Sequence, residues 1–355
     1  MNSINNHTAA TFLPEWVEQD AILLAWPDAD TDWRANLEEV CECYKHIIAS
    51  LLEHEDVVLL THCPEHAQSL FGNAAHRLIA VNIPYDDTWA RDFGPIATSQ
   101  SGTSSLLDFT FNAWGMKFAA SNDNMINRRL AAQAMFCVPL LNCKDFVLEG
   151  GSVESDGNGC IMTTSSCLLA TNRNDTLAKA QIEVRLKELL GASKVLWLNH
   201  GHLAGDDTDG HIDTLARFAP SNTIIYTACD DANDEHFAEL HDMGQEIQQF
   251  TNACGKPYHL VRLPLPDPIY DGDGDRLPAT YANFLVCNGA VLVPTYGQPY
   301  KDALAIARIK DAFPGRNVYG IDCNPLIKQH GSLHCATMQL PKGFLNYENR
   351  NNTTK

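Results

Sequence analysis

The sequence predicts an α/β protein built from five helix–strand–hairpin modules around one centre. Three observations carry that expectation. Five segments place apolar residues at helical spacing, each is followed by a short apolar or β-branched run, and hairpin signals lie between these units.

The first helix is expected over 33–54, "WRANLEEVCECYKHIIASLLEH", where Leu37, Val40, Tyr44, Ile47 and Leu51 follow one face after an Asp/Thr-rich capping stretch. The others are expected at about 123–136, 175–190, 233–254 and 302–313, and Gly191, Gly255 and Pro314-Gly315 supply stop signals after the last three. The runs that follow are "DVVLLTH", "PLLNCKDFVLEG", "KVLWLNH", "HLVRLPLP" and "NVYGIDC". Hairpins are expected where "NFLVCNGAVLVPTYG" turns at Asn288-Gly289 and where "SVESDGNGCIMTTSSCLLA" turns at Gly157-Asn158-Gly159. No linker or composition shift divides the chain, so residues 1–355 read as a single catalytic domain, with flexible ends at about 1–12 and 346–355.

With 25 basic against 44 acidic residues, the net charge of -19 opposes nucleic acid and anionic membrane surfaces and favours small cations. The twelve cysteines sit mostly in apolar runs and form no C-x-x-C pair, which is buried-thiol usage in a reducing compartment. "MNSINNHTAATFLP" has no apolar h-region, and no stretch reaches the length of a membrane span, so the expected location is cytoplasmic.

Polar residues collect in four Gly-marked clusters: "YDDTWARDFGP" (85–95), "LEGGSVESDG" (148–157), "GDDTDGHIDTLARF" (205–218) and "GSLHC" (331–335). Sites are commonly assembled from such loops on a rigid scaffold. If 205–213 is extended, Asp207, Asp209, His211 and Asp213 share one face; the alternative is a solvated acidic turn with a surface histidine. Asp92 beside Trp89 reads either as a pocket carboxylate with its aromatic wall or as a salt-bridged turn over a core tryptophan. Glu149 ends an apolar strand, and a carboxylate buried there needs a partner or a ligand. Extended backbone would also send His334 and Cys335 to opposite faces, so a nucleophilic Cys335 would need its base from elsewhere, and His211 is the candidate.

No H-E-x-x-H or C-x-x-C is present, and "DGDGDRLPATYA" (271–282) departs from a calcium loop at Arg276 and Ala282, so no metal or other cofactor is expected. A planar, cationic guanidinium suits this set of groups. Carboxylates grip its N–H donors, and its resonance-stabilised carbon calls for a strong nucleophile such as a thiolate. A thiol of ordinary pKa is only about 3% ionised at neutral pH, and carboxylates suppress it further, so an incoming cation is expected to assist ionisation. Asp207, by the alternation argument, is the candidate for a distal ammonium.

"WARDFGP" (89–95), "LEGGS" (148–152), "GDDTDGHID" (205–213), "GSLHC" (331–335) and intervening stretches such as "LPATYANFLVCNGAVLVPTYG" together resemble the agmatine deiminase family. That family lies in the Porphyromonas-type peptidylarginine deiminase branch of the guanidino-group-modifying enzymes. The resemblance implies a five-module α/β propeller, pentein-like, with pseudo-fivefold arrangement. It implies a cysteine nucleophile at Cys335, acid/base chemistry at His211, guanidinium-binding carboxylates at Asp92, Glu149 and Asp213, and Trp89 flanking the substrate. The implied reaction hydrolyses agmatine to N-carbamoylputrescine and ammonia, a step of putrescine formation. Deimination of free or C-terminal peptidyl arginine, amidine transfer to an amine, and non-catalytic guanidine or polyamine binding remain alternatives at this point.

Overall fold

The computed structural model describes residues 10–100 and 102–348. Among them the strands form five separate sheets of three or four strands. Four sheets repeat one plan, an antiparallel pair followed, across a helix or helical segment, by a parallel partner. Leu285–Cys287 and Ala290–Thr295 pair antiparallel, for example, and helix Pro299–Ala312 returns the chain to the parallel strand Asn317–Asp322. Ala216–Ala219, Thr223–Ala228 and His259–Pro264 do the same around helix Phe237–Gln248. Glu154–Ser155, Cys160–Thr164 and Lys194–Leu198 do so around Lys179–Leu190. Ile96–Gln100, Thr103–Thr110 and Leu140–Val147 do so around Ile126–Ala132.

The remaining sheet takes its antiparallel strand from the far end of the chain. Met338–Pro341 pairs with Gln19–Ala25, which runs parallel to Asp56–Leu60 and through it to Leu78–Val81. Its central strands show no polar–apolar alternation. Ile22, Leu23, Leu24, Val57, Val58, Leu59 and Leu60 are all fully buried, as expected of a sheet covered on both faces. Helix Leu37–Leu52 covers one face and buries Val40, Tyr44, Ile47 and Leu51. Removing each such side chain from water contributes about 1.5–3 kcal/mol.

All five helices and all five following strands occur, four of the helices with narrower bounds than expected. The segment expected over 123–136 is helical only at Ile126–Ala132, because Ala134 takes a left-handed backbone (φ 52°) and Phe136 bridges to Leu345. The segment expected over 233–254 is helical at Phe237–Gln248. Both expected hairpin turns form, with Gly157, Gly159 and Gly289 at positive φ. Of the expected flexible ends, 1–9 and 349–355 lie outside the described residues, whereas Thr11–Phe12 forms a short strand against Thr98 and Ser99. The cysteines are all free, and Cys63, Cys137 and Cys254 are exposed rather than buried. No helix among the described residues is long and apolar enough to cross a membrane.

Candidate active site

The four polar clusters meet at one place. Each leaves a strand or short helix and ends there. Asp92 lies in the helical turn Ala90–Phe93, Glu149 follows Leu140–Val147, and Asp213 lies in the 3-10 turn Ile212–Thr214 after His211. Cys335 lies in the turn before Met338–Pro341. Their convergence is read most directly at Gly151. A Cβ there would sit 2.6 Å from His211 Nδ1, 2.8 Å from Asp92 Oδ1 and 3.1 Å from Asp213 Oδ2. Only glycine lets two carboxylates and an imidazole close over the backbone, and the Gly151 N–H itself donates to Asp92 Oδ1 at 2.9 Å.

Two expectations about local geometry are corrected. Residues 205–213 are a loop and turn, not a strand, and Asp209 has φ 67°. The alternation argument therefore fails. Asp209 pairs with Arg173 and Lys117, and Asp206 accepts from the N–H groups of Thr208 and Gly210. Asp207 nevertheless lines the cleft above Cys335. The segment 333–336 is likewise a turn, so His334 and Cys335 are not on opposite faces of a strand. Both reach Asp213 Oδ2, with His334 Nδ1 at 2.8 Å and Cys335 Sγ at 3.6 Å.

The cleft is lined by Trp89, Trp114, Phe118 and Cys335, with Asp92 at its floor and Asp32, Asp87 and Asp207 toward its mouth. Trp89 packs its ring directly on Gly331, where any side chain would collide with it. Trp114 sits in a left-handed backbone conformation (φ 53°), and its Nε1–H donates to Asp92 Oδ2 at 2.9 Å. Sequence reading missed Trp114, because nothing in "NAWGMKF" separates it from a core tryptophan. It also missed Arg173, whose Nε donates to Glu149 Oε1 at 2.7 Å and whose Nη1 donates to Asp209 Oδ2 at 2.6 Å. Asn283 was missed as well; its Nδ2 lies 3.2 Å from Cys335 Sγ. Arg91 turns away from Asp92 and donates to Gln339 Oε1 at 2.6 Å.

Burial dominates the electrostatics. It pushes the Asp92 carboxyl up to about 6, moderated by His211 and Trp114. Burial opposes charge on His211, yet Asp92, with Cys167 and Glu149 behind it, outweighs that and holds its pKa well above 6.5. Burial would raise Asp213, but the hydrogen bond and charge of His334 bring it below the usual carboxylate range. Burial and then the charges of Asp213 and Asp92 push the Cys335 thiol well above 9. At the mouth, burial and the neighbouring Asp32 and Asp207 push Asp87 up to about 7. Like charges crowd there, and a cation would relieve them.

His211 lies between Asp92, whose Oδ1 is 3.6 Å from its Nδ1, and Cys167, while Glu149 Oε2 and Asp213 Oδ1 are buried without a hydrogen-bond partner among the described residues. Buried acceptors left open in this way are suited to the N–H groups of a ligand. Two clusters have metal-ligand types within reach of each other, Glu149–Cys167–His211 and Glu15–Glu154–His334. An arginine is already ion-paired within each, Arg173 with Glu149 and Arg217 with Glu15 and Glu154.

The sequence profile of the Porphyromonas-type peptidyl-arginine deiminase family matches residues 11–341. The chain belongs to that family. Among solved structures it resembles a Porphyromonas gingivalis protein described provisionally as an arginine deiminase. The two are 50% identical with a TM-score of 0.91, covering 95% of this chain and 100% of the other. It also resembles a C. jejuni agmatine deiminase variant solved with substrate bound, at 37% identity and TM-score 0.87, covering 97% and 99% of the two chains. By sequence it is 30% identical to the agmatine deiminase of Stutzerimonas stutzeri, over 93% of this chain and 95% of that one. Like other members of this deiminase family, the chain is a mixed α/β protein over its whole matched length.

Proposed function

We propose that this chain is an agmatine deiminase that hydrolyses the guanidino group of agmatine to N-carbamoylputrescine and ammonia through a covalent thiouronium on Cys335. The observation that carries the reading is the slot itself. Two tryptophans wall a passage that leads from three mouth carboxylates to a floor where Asp92, Asp213, His211 and Cys335 converge. A flat cation with an ammonium at its far end matches that arrangement. The names of the C. jejuni and S. stutzeri relatives support it.

In this mechanism Asp92 and Asp213 bind the guanidinium N–H groups, and their neutralisation lets the thiol release its proton to solvent. The Cys335 sulfur attacks the central carbon and forms the C–S bond. The C–N bond to the departing nitrogen then breaks as His211, held in its charged form, gives that nitrogen a proton and ammonia leaves. His211, now neutral, takes a proton from water, whose oxygen adds to the thiouronium carbon. The C–S bond breaks with its electron pair returning to Cys335, the adduct's hydroxyl proton passes to that sulfur as the C=O forms, and the ureido product is released. Glu149 holds the protons of the reacting nitrogen and water, Trp89 and Trp114 stack on the substrate, and Asp207 with Asp87 receives the ammonium. The chemistry calls on no cofactor.

The same reading takes the five sheets as five modules about a pseudo-fivefold axis, a pentein-like propeller forming one catalytic domain. A cytoplasmic enzyme feeding putrescine formation accords with the thiol usage and acidic surface.

The likeness to the P. gingivalis protein favours a second reading, deimination of free or C-terminal peptidyl arginine. An α-carboxylate at the mouth would face Asp32, Asp87 and Asp207, which argues against it. Mass spectrometry of agmatine and arginine samples after incubation tests the two. A ureido product from agmatine alone, lost in Cys335→Ser, is expected. Turnover of arginine alone would overturn the choice of substrate, and turnover of neither would overturn the activity.

A further inference from the structure

Directly beneath the nucleophile's turn lies a buried chain of charges that the mechanism above leaves unused. His334 Nδ1 is 2.8 Å from Asp213 Oδ2, and its Nε2 is 2.8 Å from Glu15 Oε2. Both partners are carboxylates, which only accept, so the geometry calls for a proton on each ring nitrogen. Arg217 Nη2 also lies 2.9 Å from Nε2, but a guanidinium only donates. The two donors therefore converge on Glu15, to which Arg217 Nη2 is itself bonded. Arg217 Nε goes on to Glu154, and the other Glu15 oxygen accepts the Val286 N–H at 2.6 Å. Glu15, Glu154, Asp213, Arg217 and His334 are all buried.

His334 occupies Oδ2 of Asp213, whereas Oδ1 is buried and without a hydrogen-bond partner among the described residues. An aspartate carboxylate rotates readily about its last torsion. Unless Oδ2 is held, Oδ1 can swing away from the cleft.

We propose that His334 and Glu15 are positioning residues for the deiminase reaction: the His334 ring fixes Oδ2 of Asp213 so that Oδ1 meets the guanidinium, and Glu15 holds the ring. The inference rests on the reading of Asp213 as a guanidinium ligand. It also gives the histidine next to Cys335 a task other than acid/base chemistry. Glu15, some three hundred residues earlier in the chain, becomes part of the support beneath the site.

The test needs no turnover. In the full-length protein, Cys335 is alkylated in parallel by 2-chloroacetamidine, a cation that must be held by the carboxylates, and by neutral iodoacetamide. The ratio of the two rates reports how well Asp213 is presented. His334→Gln keeps a donor near the Nε2 position and loses the one facing Asp213, and its ratio is expected to fall about 100-fold, the scale of a displaced active-site group. His334→Asn keeps a donor near the Nδ1 position, and is expected to recover most of that loss. Glu15→Gln is expected to lower the ratio about tenfold alone and to have no effect in the His334→Asn background, the mark of residues acting in series.

An unchanged ratio in His334→Gln would overturn the proposal. So would equal losses in the Asn and Gln variants, or an equal fall in both alkylation rates, which is what a purely structural role gives. Thermal unfolding identifies a variant that fails to fold; Glu15→Gln, a neutral isostere, then carries the test alone, and an unchanged ratio in it overturns the proposal. Wild-type protein that leaves agmatine untouched would sink the substrate assignment while the alkylation ratio still reports on Asp213.

Discussion

Asn283 holds the nucleophile's turn with both ends of its amide: Nδ2 lies 3.2 Å from Cys335 Sγ, and Oδ1 accepts the N–H groups of His334 at 2.8 Å and Cys335 at 3.2 Å. With a backbone hydrogen bond at Ser332, the donor end favours the thiolate against burial and two carboxylates that oppose it. A hydrogen bond to a charged group contributes about 1.5–3 kcal/mol, so Asn283→Ala is expected to slow iodoacetamide inactivation at neutral pH by about tenfold or more. Asp213→Asn should do the opposite and speed it, because it removes a negative charge from beside the sulfur. Rates measured against pH decide both, and an unaltered profile in Asn283→Ala would remove the amide from thiol activation.

The Trp114–Asp92 bond makes a second prediction. Asp92 must be ionised to hold a guanidinium, and its carboxyl is pushed up to about 6, so kcat/KM for agmatine is expected to fall as pH drops through that value. The Trp114 N–H stabilises the ionised form. Trp114→Phe keeps an aromatic wall but removes this donor, so the acid limb should move to higher pH. A limb that stays in place would mean that another group controls it.

Arg173 is a stability prediction. It is buried, and its guanidinium is shared between Glu149 and Asp209, with Thr208 O accepting at 3.1 Å. Arg173→Met preserves much of the volume and leaves the fully buried Glu149 charge unpaired, which should cost about 3–5 kcal/mol. Urea unfolding measures this. A loss below about 1 kcal/mol, the range of exposed pairs, would show that Glu149 is solvated in a way the buried geometry excludes.

Glu55 gives a pH dependence of stability. It is 1% exposed, and burial, only partly offset by the Asn288 backbone and by Arg316 and Arg77, pushes the group up to about 8 from an ordinary 4.5. The folded protein therefore keeps this proton where the unfolded chain has released it. Its contribution is fully present below pH 4.5 and drains away as pH climbs toward 8. Glu55→Gln cannot release a proton, so its stability relative to wild type should improve steadily across that window and level off above it. Melting temperatures at about pH 5, 7 and 9 would reveal the divergence, and parallel curves would contradict it.

Much of the architecture was legible because it rests on periodicity. Helical spacing and the apolar runs after each helix located the repeated unit, and Asn288-Gly289 located a hairpin by its backbone demands alone. The carboxylates at Asp92, Glu149 and Asp213, with His211 and Cys335, stood out because charged or reactive groups beside glycines end apolar runs. What could not be read was anything decided by distant packing. Trp114, Arg173, Asn283 and Glu15 look ordinary in their own segments, and become informative only when a carboxylate or sulfur from another module arrives beside them. The alternation argument for 205–213 failed for a local reason. Asp206 draws the following N–H groups onto its own side chain and curls the segment into a loop.

The pairing of Met338–Pro341 with Gln19–Ala25 joins early sequence to late. Because synthesis runs from the amino end, a ribosome that has completed about the first 330 residues has already made every carboxylate and histidine assigned to the slot except His334. It has not yet made the sulfur, nor the strand that closes the first sheet. The nucleophile and the strand that closes the first sheet therefore follow, in chain order, the carboxylates that they meet.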